Sequence, residues 1–169
     1  MALLEPKGDS AAVVEDRFTR VDDEGALPAS GGVLVSLSRF QTERDALLAR
    51  DGDLGVWLAS DESPTDIADA DFAKIALVAL DFPVFSDGRA FTSARILKER
   101  MQYAGEIRAM GEVMLEQVPY MLRSGFTTFD TEDKAILEEW KSVVGEVRVV
   151  YQPTGDGRAT AIDRRLGRS

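Results

Sequence analysis

The chain has 169 residues, 44% hydrophobic and 30% charged, with a formal charge of −10. That is enough for one domain with a real core, and the acidity argues against nucleic acid or an anionic membrane as a partner. Cysteine and histidine are both missing, which excludes disulfides, thiol chemistry, thiolate-bound iron–sulfur clusters, cysteine-ligated zinc, histidine-ligated haem and a serine–histidine triad.

Residues 1–31 are rich in Asp, Glu, Gly, Ala and Ser and read as a loosely structured N-terminal arm with one strand-like piece, RFTRV. The first residues lack the basic start and long apolar core of a signal peptide, and no run approaches the ~18 apolar residues of a membrane span. A soluble cytoplasmic protein is expected. VLVSL (33–37) predicts a buried strand, and SRFQTERDALLAR predicts a helix beginning at Ser38 as N-cap. LGVWLA (54–59) is a second strand. In the acidic connection that follows, Ser63 caps a short helix with Pro64 at its first position. IALVAL (75–80) is apolar on both faces, as a parallel strand covered on each side would be. Helices are expected over roughly 89–102, 112–123 and 132–143. They are interleaved with the strands GEIRAM, FTTFD and GEVRVVYQ.

Strands thus alternate with helices about six times at ~20–25-residue spacing, the pattern of an α/β domain with a mainly parallel sheet, doubly wound or a shortened barrel. One such domain is expected over 32–152, followed by a flexible tail, 153–169.

Parallel α/β folds bind ligands beyond the carboxyl ends of their strands. That rule collects Asp81, Ser86, Asp87, Gly88 and Arg89 after the third strand, then Gly111 and Glu112, Thr128 and Asp130, and finally Tyr151 and Gln152. Carboxylates, an arginine and a helix N-terminus on one rim suit a small anion or polar metabolite. Asp81, Asp87 and Glu112 are the acid/base candidates, since mutual burial raises a carboxyl pKa. Each also has a plainer reading: Asp87-Gly88 as a capped turn, Arg89 as the partner of Asp87 or Asp81, and Arg95 on a solvated helix face. Arg108 and Arg148 interrupt apolar strands and must be paired, for function or for structure. Neither a phosphate loop nor a dinucleotide fingerprint is present, so no cofactor is identified. No metal ligands are assigned either.

The stretches FQTERDALLARDGDLGVWLAS, IALVALDFPVFSDGRAFTSARILKER, YAGEIRAMGEVMLEQVPYMLRSGFTTF and VVYQP resemble a bacterial domain-of-unknown-function family commonly encoded beside assimilatory sulfite reductase. Its members are described as oxidoreductases involved in sulfite reduction. The block ALVALDFPVFSDGRAFTSARIL carries the most specific part of this resemblance. Phe82, Phe85, Asp87, Gly88, Arg89, Ser93, Ala94 and Arg95 match the family pattern there, and Gly111, Gln117, Arg123, Gly125 and Phe126 match a second block. Glu112 stands where the family usually has aspartate, Ser124 where cysteine is frequent, and Thr127 where aspartate is usual, so a thiol at position 124 has no part in this chain.

The resemblance implies an accessory protein of sulfite reduction, with sulfite reductase or another sulfur-assimilation protein as its partner. The absence of Cys, His and nucleotide motifs suits a helper without its own redox metal. Two alternatives stand beside it. One is a small α/β enzyme acting on an anionic or carbonyl metabolite through Asp87, Arg89 and Glu112, with Asp81, Ser86, Gly88, Ser93, Arg95, Arg108, Gly111, Gln117 and Tyr151 as ligand-binding candidates. The other is a non-catalytic interaction module, which an exposed apolar patch away from the strand ends would favour.

Overall fold

A computed structural model of the chain describes residues 2–8, 10–132, 134–146 and 160–166. Eight strands form one sheet: β1 (Ala2–Lys7), β2 (Ser10–Val14), β3 (Phe18–Arg20), β4 (Gly32–Ser36), β5 (Leu54–Leu58), β6 (Ile75–Phe82), β7 (Glu106–Gly111) and β8 (Thr128–Thr131). Their order is β2-β1-β8-β7-β6-β5-β4-β3. All pairings from β3 through to β8 are parallel, whereas β1 runs antiparallel to both β2 and β8. The architecture is mixed α/β, with the mostly parallel sheet curled into a half-barrel.

Residues 1–31 do not behave as a loose arm, because three of the eight strands come from them. ALLEPK and SAAVV are too short and too mixed to show a period, yet they pair from Leu3↔Val14 to Lys7↔Ser10. Gly8 enters the connecting turn at φ +67, a conformation glycine adopts without steric cost. Within the expected flexible tail, α6 (Ala161–Arg165) is a short helix closed by a capping box between Thr160 and Asp163.

The helix expected over 38–50 is two helices, α1 (Leu37–Thr42) and α2 (Arg44–Leu48), separated at Glu43. Ser36, not Ser38, is the N-cap: its hydroxyl accepts from the Arg39 N–H at 3.0 Å. The Thr42 hydroxyl donates to the Ser38 carbonyl at 2.9 Å, a side-chain bond of the kind that bends helices. After β6, α3 (Arg89–Arg95) runs into a π-helical turn, Ile96–Arg100. The expected 112–123 helix starts late, as a 3₁₀ turn at Leu115–Gln117 and then α4 (Val118–Ser124). The last of the larger helices is α5 (Lys134–Glu146). Of the expected strand GEVRVVYQ, Gly145 and Glu146 instead end α5, and the rest, with Arg148, Tyr151 and Gln152, lies outside the described residues.

β6 divides its side chains between two clusters. Ile75, Val78, Leu80 and Phe82 join the main core with Phe40, Leu47, Ala94, Leu97, Met121, Ile136 and Trp140, which come from α1 to α5 and the π turn. Leu77 and Ala79 face the other way, with Phe18, Leu34, Met110 and Trp57, all from strands. The strand is therefore apolar on both faces, as its sequence indicates. Among the described residues, however, no helix contributes to the second cluster. Among the described residues no helix is long and apolar enough to cross a membrane.

Candidate functional site

The parallel strands end at one rim, where several of the expected residues meet. Asp87 and Arg89 are joined there, but to each other. The Arg89 guanidinium donates to Asp87 through Nε (2.9 Å to Oδ1) and Nη2 (2.6 Å to Oδ2), and Nη2 also donates to Ser60 Oγ at 2.8 Å. The Arg89 backbone N–H donates to Asp87 Oδ1 at 3.1 Å, so the carboxylate also occupies the start of α3. Hydrogen bonding from Arg89 holds the Asp87 carboxyl far below the usual carboxylate range. A carboxylate so firmly ionised is a poor general acid or base at neutral pH. Its cation is likewise already neutralised, which leaves little charge for an anion.

Glu112 and Gln117 act on the same loop from the β7–α4 connection. Glu112 Oε2 accepts the Phe85 backbone N–H at 3.1 Å, and Gln117 Nε2 donates to the Phe85 carbonyl at 2.7 Å. Both backbone polar groups of one loop residue are thus satisfied by side chains, while the residue is 56% exposed. Gln117 Oε1 is buried and has no hydrogen-bond donor among the described residues. The turn that aims Glu112 depends on Gly111 at φ +87, where a Cβ would lie 2.5 Å from the Phe82 carbonyl oxygen. That carbonyl accepts the Glu112 N–H at 2.8 Å.

Beside the loop is a cleft of about 520 Å³ lined by Phe85, Gly111, Glu112, Val113, Met114, Asp130, Thr131 and Glu132. Its described lining offers carboxylates and apolar groups but no lysine or arginine. Among the described residues no group of three or more carboxylates is arranged to hold a metal ion.

Asp81 lies at the end of β6, on the face opposite the helix-packed main core. Met110 is its β7 partner, and Asp130 continues the row on β8, since Ala109 pairs with Phe129. Burial pushes both Asp81 and Asp130 above the ordinary carboxylate value. Arg20 opposes the shift at Asp81 and Arg108 opposes it at Asp130. Of the three acid/base candidates, Asp81 therefore has the raised pKa and Asp87 a lowered one. Arg20 itself sits over the Trp57 ring at 4.8 Å.

Arg108 is 1% exposed and structurally paired. It meets Asp16 through two hydrogen bonds (2.7 and 3.0 Å) and Glu106 through Nε at 3.0 Å. It thereby ties the β2–β3 connection to the sheet, away from the rim. Arg95 pairs with Glu99 one turn along its helix at 3.0 Å, and Ser93 is buried in the packed face of α3. Ser86 is exposed in the loop. Gly88 has ordinary dihedrals and open space where a Cβ would be, so nothing local demands glycine there. Tyr151 lies outside the described residues. The family-pattern aromatics Phe82 and Phe126 pack with Phe91 and Tyr120 beneath the rim, with ring centroids 4.9 to 6.2 Å apart.

Ser60 and Asp16 were not anticipated. Ser60 lies just past the end of β5, so the strand-end rule finds it. Asp16 lies 92 residues from Arg108, and no local signal joins them.

A family model described as a bacterial protein of unknown function (DUF934) matches residues 55–162. The chain belongs to that family. No curated protein and no solved structure matches it. The family span includes β5 to β8, the Asp87–Arg89 pair, the Phe85 loop and the cleft. The strands β1 to β4 that complete the sheet precede it.

Proposed function

We propose that the protein is an accessory component of assimilatory sulfite reduction, binding a partner protein at its strand-end rim and carrying no redox metal of its own. The observation that carries the docking reading is how the rim spends its polar groups. Asp87 and Arg89 neutralise each other, and Glu112 and Gln117 hold a loop backbone, while Val84, Phe85 and Met114 stay exposed. The exposed apolar patch lies at the strand ends, and on this reading a docking surface stands where a ligand site was expected. The pathway rests on the resemblance of the ALVALDFPVFSDGRAFTSARIL block to a family encoded beside sulfite reductase.

Affinity capture of the chromosomally tagged protein from sulfate-grown cells tests the docking, and recovery of no sulfite-reductase component refutes it. A deletion strain that grows equally well on sulfate, sulfite and cysteine refutes the pathway.

One observation favours a second reading, a small enzyme acting on an anionic or carbonyl metabolite. Asp81 and Asp130 are half-buried carboxylates, each pushed upward by burial, and they stand in one row across Met110; carboxyl groups raised by their surroundings are candidates for acid–base chemistry. Full complementation of the deletion by both Asp81→Asn and Asp130→Asn removes that reading.

A further inference from the structure

We infer that Phe85 is the anchor of a protein–protein contact, and that its partner presents an apolar pocket rimmed by lysine or arginine. The inference rests on the reading of the rim as a docking surface and specifies that surface. Three observations support it independently of one another.

The first is exposure. Val84 is 48% exposed, Phe85 56% and Met114 37%, and Phe85 and Met114 line one cleft. Aromatic and methionine side chains are the residue types enriched at the centres of interfaces.

The second is pre-organisation. Phe85 sits in a loop rather than on a strand or helix, yet its N–H and carbonyl are both held, by Glu112 at 3.1 Å and Gln117 at 2.7 Å. The loop is closed from the other end by the Asp87 N–H donating to the Val84 carbonyl at 2.9 Å and by the Asp87–Arg89–Ser60 group. A backbone fixed before contact loses less conformational freedom on binding. The fixed position would be wasted if the ring belonged in the core. Phe82, three residues earlier, fills that role at 0% exposure.

The third is charge. Glu112, Asp130 and Glu132 line the cleft beside the ring, with no described lysine or arginine among the lining residues. Apolar contact supplies affinity and this acidic surround selects the partner, because a like-charged rim is repelled and a basic one is steered in.

The test places the photoreactive residue p-benzoylphenylalanine in place of Phe85 in cells growing on sulfate. The same residue in place of Val13, 57% exposed on the edge strand β2, serves as control. Cross-linked peptides are sequenced, and the captured protein is purified and titrated with wild type, Phe85→Ser and Phe85→Trp at low and raised salt. The expected result is one dominant adduct at position 85, absent at 13, on a peptide that combines apolar residues with Lys or Arg. Binding should fall roughly tenfold or more in Phe85→Ser, largely survive in Phe85→Trp, and weaken with salt.

If the adduct is on a sulfite-reductase subunit, the pathway reading stands as well. If it is on another protein with the same surface chemistry and the same loss in Phe85→Ser, the anchor stands and the pathway reading falls. No adduct above the position-13 control, equal binding by Phe85→Ser, or an acidic contact peptide overturns the inference. Because the ring is exposed, Phe85→Ser should melt at the wild-type temperature, which separates lost binding from lost fold.

Discussion

Replacing Arg108 separates its structural role from a ligand-binding one. Its side chain is 1% exposed, while those of its partners Asp16 and Glu106 are 39% and 14% exposed. Arg108→Met keeps most of the volume but removes the buried cation that both carboxylates meet, leaving Glu106 the longer ion pair with Arg17 at 3.8 Å. Removing one partner of a buried ion pair costs about 3–5 kcal/mol. Water reaches Asp16, so the lower end, about 3 kcal/mol, is the expected loss. In Asp16→Ala the guanidinium keeps Glu106, and the loss should be about 1.5–3 kcal/mol, that of charge-assisted hydrogen bonds. The double variant should cost less than the sum by about 1 kcal/mol or more, since both changes break one contact. Urea unfolding followed by fluorescence of Trp57 and Trp140 measures all three. In thermal melts, Arg108→Met should fall by about 6–12 °C. A loss below about 1 kcal/mol for Arg108→Met, or strict additivity in the cycle, refutes the assignment of Arg108 as a structural tie.

The two rim glycines should differ. Gly111→Ala forces a Cβ against the Phe82 carbonyl at φ +87 and should cost about 1–3 kcal/mol, whereas Gly88→Ala should stay within about 0.5 kcal/mol, and denaturant midpoints decide. Burial raises the Asp81 carboxyl, so the folded state binds that proton more tightly than the unfolded one. This contribution to stability is present below about pH 3.9 and is lost as the pH rises through the folded value. Asp81→Asn should accordingly melt above wild type at pH 7 and converge with it near pH 3; a lower melting temperature at pH 7 contradicts the assignment. Trp140 is 1% exposed, its indole N–H has no acceptor among the described residues, and its ring meets Phe129 edge-on at 5.6 Å. Trp140→Phe should therefore change stability by less than about 1.5 kcal/mol, while Trp140→Ala should cost about 3–5 kcal/mol, both measured by urea unfolding.

The alternation of apolar runs with helical periods is enough to read a mainly parallel α/β sheet, and the two-faced apolar character of IALVAL places β6 inside it. Glu106 as a partner of Arg108 was also within reach, because residues two apart on a strand share a face. The strand-end rule put Asp87, Arg89 and Glu112 on one rim. It could not say that Arg89 would be consumed by Asp87, or that Glu112 would hold a backbone N–H rather than a ligand. Those outcomes depend on ångström-scale loop geometry, such as the turn at Gly111. Of the N-terminal strands, β3 falls within the strand-like piece RFTRV, whereas β1 and β2 were missed for a different reason. The pairing of β1 with β8 joins segments far apart in sequence, and five or six residues, in β1 with a Pro and a Glu among them, carry too weak a period. The Gly-Asp step between ALLEPK and SAAVV was the one local hairpin signal there.

The antiparallel seam between β1 and β8 has a kinetic consequence. Ala2 pairs with Thr131, so this seam spans nearly the whole sheet in sequence. Closing a loop of that length costs about 4 kcal/mol of chain entropy before any contact across it is made. During synthesis at about 5–20 residues per second, the β1–β2 hairpin must wait roughly 6–23 s for its neighbour to be made. Through that interval an edge carrying Leu3 and Leu4 stands open to other chains. Refolding should therefore be slow for a domain of this size and sensitive to protein concentration, with the N-terminal hairpin as the segment through which misassembly begins.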